Sequence, residues 1–155
     1  MNTYIENANY LNDRRVRAGE EATDRGKFDE KAMTLTYELT IPIPHPDHVE
    51  ESEVEVEFPA KYEVCDTCDG KGSHVNPSID ASGLSREDFD EDPDFREEYM
   101  GGTYNVSCYG CGGVRVVPVV DESRADPAML KILRERDRDL AAWRAESRAE
   151  RMRGA

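Results

Sequence analysis

The sequence predicts an α+β fold in which small antiparallel β-hairpins are organised around a four-cysteine centre, with short helices in an acidic insert and a long C-terminal helix. Three observations predict it. Met33–Ile41 and Val54–Phe58 alternate apolar and polar residues, the period of strands with one buried face. Two C-x-x-C pairs, Cys65-Asp-Thr-Cys68 and Cys108-Tyr-Gly-Cys111, use all four cysteines of the chain. From Asp126-Pro127 the chain runs without another proline or glycine to Gly154, which reads as one helix opened by proline at its first position.

Taken in order, residues 1–32 form a polar N-terminal arm with weak helical spacing through Tyr4, Tyr10 and Leu11, punctuated by Gly19 and Gly26. A short helix or a mobile arm is expected there. Residues 33–125 form a β-rich domain carrying an acidic insert at 73–103. Its two alternating runs should pair as an antiparallel hairpin, with Pro42, Pro44 and Pro46 ending the first strand because proline cannot donate to a ladder. In the insert, Ser85-Arg-Glu-Asp-Phe89 and Asp92-Pro93-Asp-Phe95 begin with capping residues, and Gly101 ends the second segment. Two short helices follow, with Phe89, Phe95 and Tyr99 packed onto the cysteine centre. Strands before and after Cys108 and Cys111 should form a hairpin around that pair. In the C-terminal helix, 126–155, the stripe Met129, Leu133, Leu140 and Trp143 should dock, and the residues beyond Trp143 should project as a free basic rod.

The cysteine spacing carries the chemistry. Two thiolates separated by two residues can bite one metal from a tight turn, and two such turns supply the soft ligands of a tetrahedral zinc site. Cys65, Cys68, Cys108 and Cys111 are therefore the expected ligands of one structural Zn2+. Four sulfurs leave no open position for water, so no catalytic role is expected for the metal. Disulfides and a redox C-x-x-C are the alternatives. The start Met-Asn-Thr-Tyr-Ile-Glu lacks the basic, apolar pattern of a signal peptide, which favours a reducing cytoplasm over disulfides. His74 follows the first pair closely and reads as a surface residue or a support to the ligands.

Hydrophobic residues make up 37% of the 155 and charged residues 35%, so the apolar core must be modest and a metal tie would help stabilise it. No run approaches the length of a membrane span. The net charge of −14 divides into −1 over residues 1–32, −15 over 33–111 and +2 over 112–155. Such an acidic middle would repel phosphate, so it should not bind nucleic acid directly.

Cys65-Asp-Thr-Cys68-Asp-Gly70-Lys-Gly72 resembles, residue for residue, the C-x-x-C-x-G-x-G repeat of the DnaJ-type cysteine-rich zinc domain. The second copy, Cys108 to Arg115, keeps both cysteines and the first glycine, Gly113, and has Arg115 in place of the last one. The family carries four repeats and two zincs; two repeats imply one site. The resemblance covers roughly residues 62–117. As a whole the chain resembles small proteins of tailed bacteriophages that pair a DnaJ-like zinc motif with an acidic insert, which implies a host cytoplasm.

His45-Pro46-Asp47 spells the tripeptide by which J-domains stimulate DnaK-type chaperones, but its strand-like and acidic flanks read as a proline turn between strands. His45, Asp47 and His48 lack a further ligand, base or nucleophile in register, so no enzyme site is expected. The reading that fits best is a non-enzymatic zinc-stabilised module binding a protein partner. Glu87, Asp88, Asp90, Glu91, Asp92 and Asp94 are either its binding surface or a solvated face. The alternatives are an acidic mimic of nucleic acid that blocks a nucleic-acid-binding protein, and a thiol-disulfide or chaperone-like activity.

Overall fold

The computed structural model describes residues 3–154 and has the mixed α+β architecture that the sequence predicts. It divides into two units, each interrupted in sequence.

One unit holds residues 24–63 and 118–147. Its sheet has the order β1 (Lys27–Asp29), β2 (Thr34–Pro44), β3 (Val49–Val64) and β6 (Val116–Val120). The alternating runs pair antiparallel, with Leu35 opposite Phe58 and Leu39 opposite Val54. One face of this ribbon meets Leu130 and Leu133 of helix α6 (Pro127–Gly154), and with Tyr37 and Ala60 they form the core. Strand β2 does not stop at Pro42 but continues through Pro44. The ladder is bracketed by Ala60 N–H to Met33 O and His45 N–H to His48 O, so even-numbered residues of β2 turn their nitrogens away from β3. Proline at 42 and 44 therefore removes no bond from the pair.

The other unit holds the residues up to 23, 64–117, and those from 148 onward. The N-terminal arm is a pair of helices, α1 (Thr3–Asn12) and α2 (Arg14–Ala22), the second capped by Asp13. Gly19 lies inside α2 instead of ending it, because a Cβ there would come within 3.2 Å of Tyr109. Strands β4 (Ser73–Val75) and β5 (Asn105–Ser107) pair antiparallel. Between them lie α3 (Pro77–Asp80), α4 (Arg86–Glu91) and α5 (Pro93–Met100). Ser85 caps α4, as the sequence predicts, and does so in a reciprocal capping box with Asp88.

Three expectations need correction. The strands flanking Cys108 and Cys111 do not pair with each other: β5 pairs with β4, and β6 with β3. Phe89, Phe95 and Tyr99 do not pack on the cysteines but on one another, with Tyr104 against Phe95, at centroid distances of 5.3–6.1 Å. Such pairs gain enough from ring contact to make a small satellite cluster. Finally, Trp143 is 62% exposed, whereas Arg144 and Arg148 beyond it are held by acids. Spacings of three and four from Leu140 lead to Arg144, Ser147 and Arg148, one step round the helix from Trp143. Arg144 makes two bonds of 2.6 and 2.7 Å to Asp24. Arg148 and Arg151 both reach Glu20, so the end of the helix is no free rod.

Candidate metal centre

Each cysteine pair sits at a tight turn that the chain builds twice. After Cys68, φ is positive at Asp69, Gly70 and Gly72; after Cys111, it is positive at Gly112, Gly113 and Arg115. The same places carry the same bonds. Lys71 N–H donates to Cys68 O, and Val114 N–H to Cys111 O. Gly72 N–H points at Cys68 Sγ at 3.3 Å, and Arg115 N–H at Cys111 Sγ at 3.4 Å. Across the pair, Cys65 N–H donates to Arg115 O and Cys108 N–H to Gly72 O, both at 3.0 Å. The two knuckles are thus related by an approximate twofold axis, and each is closed by the flank of the other.

This arrangement gathers the sulfurs. Cys65 and Cys108 Sγ lie 3.8 Å apart, as do those of Cys68 and Cys111, and all four lie within 4.8 Å of one another. A tetrahedral thiolate centre with metal–sulfur bonds of about 2.3 Å has sulfur–sulfur edges of about 3.8 Å, so the four residues fit a single metal ion. Cys65 and Cys108 are 1% exposed; Cys111 is half-buried. Burial pushes the Cys108 thiol up to about 12. Without a cation the sulfur stays protonated, and a metal is what makes a thiolate favourable there.

Support comes from two residues beyond the ligands. His74 accepts the Tyr109 N–H at Nε2, 3.1 Å away, and its Nδ1 donates to Val75 O at 2.8 Å. Both ring nitrogens are occupied, Nδ1 within β4 and Nε2 in holding β4 to the second knuckle, the supporting role rather than that of a ligand. Gly110, inside the second C-x-x-C, is required by packing: a Cβ there would come within 2.8 Å of Thr67 Oγ1 and 3.4 Å of Cys65 Sγ. The C-x-x-C-x-G-x-G pattern points to the glycines after each pair but not to this one, because the atoms that crowd it lie in the other knuckle.

Among the described residues, the cysteines are the group of potential ligands that comes together. His45-Pro46-Asp47-His48 is the turn joining β2 to β3, with its two imidazoles 4.3 Å apart and His48 Nε2 3.1 Å from Glu50. No known family model, curated protein or solved structure matches the chain. The site therefore stands on its own geometry. No helix among the described residues is long and apolar enough to cross a membrane.

Proposed function

We propose that the protein is a non-enzymatic, zinc-stabilised interaction module that binds another protein, in the manner of the DnaJ-type cysteine-rich domain its first knuckle resembles. The observation that carries this reading is the closed set of four sulfurs at tetrahedral spacing. Four thiolates select zinc or iron by softness and geometry, and zinc adds no redox chemistry. With every position filled by the protein, the ion has no place for a substrate or an activated water. Its work is to hold chain segments together, a contribution of about 10 kcal/mol or more in small zinc domains. The acidic surface then meets a basic partner, giving fast and salt-sensitive association. An accessory protein encoded by a phage and acting on a host or phage protein suits this chemistry.

A thiol-disulfide activity is disfavoured because a reactive cysteine must be accessible, and Cys65, Cys68 and Cys108 are buried. The nucleic-acid mimic has one observation in its favour, the row of glutamates at alternate positions of β3 from Glu51 to Glu57. Displacement of DNA from a basic protein would distinguish it. The test of the leading reading is native mass spectrometry followed by capture. One zinc per chain is expected, and the immobilised zinc form should retain a protein partner at low salt and release it at high salt. A folded chain with iron, or with two disulfides and no metal, would overturn it.

A further inference from the structure

The β2–β3 ribbon leaves one backbone edge open. Its bracketing bonds, Ala60 N–H to Met33 O and His45 N–H to His48 O, place even-numbered residues of β3 in the ladder with β2. Odd-numbered residues of β3 therefore turn their N–H and C=O groups to the opposite edge. Toward the end of β3 that edge is filled, with Pro59 O accepting the Asp121 N–H at 2.8 Å where β6 begins to pair. Before Pro59, no described strand lies beside it. The backbone groups of Glu51, Glu53, Glu55 and Glu57 are left without a strand partner.

The other edge of the same ribbon offers a shorter free stretch, Glu38 and Thr40, and is closed on either side of it. β1 covers Thr34–Thr36, and beyond it Pro42 and Pro44 present nitrogens without hydrogens to the outside. Proline so placed keeps another strand from adding. No proline interrupts β3 from Val49 to Phe58.

The side chains on the open strand define what fits it. Glu51, Glu53, Glu55 and Glu57 stand exposed on the sheet face opposite the Leu35–Phe58 core, and Glu38 stands directly across from Glu55. That cross-strand pair is of the closely spaced kind, in which like charges destabilise. A second copy adding antiparallel would set one glutamate row beside another, so charge opposes self-addition. An extended segment with a cation at every second residue satisfies both the backbone and the carboxylates.

We propose that the β3 edge from Val49 to Glu57 is a strand-addition site for a basic extended segment of another protein, with Lys or Arg at alternate positions. The proposal rests on the interaction-module reading and specifies its partner. The test uses the 15N-labelled zinc-loaded protein and a short peptide alternating lysine and valine. Its controls replace lysine by glutamate or collect the lysines in one block. In the free protein the amides of Ser52, Val54 and Val56 should exchange slowly and those of Glu51, Glu53, Glu55 and Glu57 rapidly. The alternating peptide should slow the second set by at least about tenfold, with affinity that falls as salt rises. Glu53→Pro removes one outward N–H without touching the β2 ladder. It should weaken binding about tenfold, a loss of about 1.4 kcal/mol, while Ser52, Val54 and Val56 stay protected. Unchanged exchange with the peptide, equal binding of the block control, or undiminished binding by Glu53→Pro would each overturn the site. A protein partner captured equally by wild type and Glu53→Pro would overturn strand addition and leave the interaction-module reading standing; no capture at all would remove both.

Discussion

Arg115 and Gly72 hold the same corner of the two knuckles, with φ of 79° and 82°, but only glycine adopts that conformation without cost. A side chain in the left-handed region costs about 1–2 kcal/mol, partly offset by the greater freedom that glycine gains in the unfolded chain. Arg115→Gly should therefore stabilise the metal-loaded protein by about 0.5–1 kcal/mol. Gly72→Ala should do the reverse and more, since its Cβ would meet Gly113 O at 3.0 Å. Chemical denaturation of the two variants beside the wild type checks both signs. Asp24 gives a second test. The Arg144 guanidinium, bonded through two nitrogens, holds its carboxyl below the usual value. A carboxylate depressed in the folded state stabilises above its unfolded pKa of about 3.9, and that contribution fades as pH falls through the folded value. Arg144→Ala should cost about 1–2 kcal/mol near neutral pH. The gap between variant and wild type in urea midpoints should close as the solution is acidified below pH ~4.

Helix α6 shows how an element can be legible while its docking is not. Asp126-Pro127 marks its start, where Asp126 Oδ1 accepts the Ala128 N–H, and that bound follows from capping chemistry. Its buried stripe, however, passes from leucines to arginines, which pattern reading counts as solvent-facing. Only the acids at Asp24 and Glu20, more than 110 residues earlier in the chain, make those positions inward. Arg148 is 11% exposed and Glu20 21%. Removing residues 145–155 deletes both arginines that reach Glu20 and should cost about 1–3 kcal/mol. Trp143→Ala, at an exposed position, should change stability by less than about 0.5 kcal/mol. Denaturant midpoints of the two variants decide the order. The hairpin β2–β3 was legible for a simpler reason: its alternation and its partner are close in sequence.

At the scale of the molecule, the two units rely on different glue. One has an aliphatic and aromatic core around Leu35, Phe58 and Leu133; the buried cluster around the knuckles consists of the cysteines themselves, with Val117 against them. Chelation should therefore abolish amide protection in β4 and β5 while the amides of Leu35, Leu39 and Phe58 keep theirs, a difference hydrogen exchange reads directly. The ligand set was legible because C-x-x-C is a local pattern. The exchange of strand partners between knuckles was not, since nothing within either repeat says that β3 will seek β6 and β4 will seek β5. That exchange makes the stretch joining the knuckles a tether as far as the sulfurs are concerned. Gly83 lies in it, with nothing within 4 Å of where a side chain would begin. Cut there, the chain yields two fragments, each with half the ligands and with strands whose partners lie on the other piece. The protein should then behave as a split pair that zinc tightens: fragments 1–82 and 83–155 also share the core of Leu35 and Phe58 with Leu130 and Leu133, so on gel filtration at falling concentration their complex should survive to greater dilution with the metal than with a chelator.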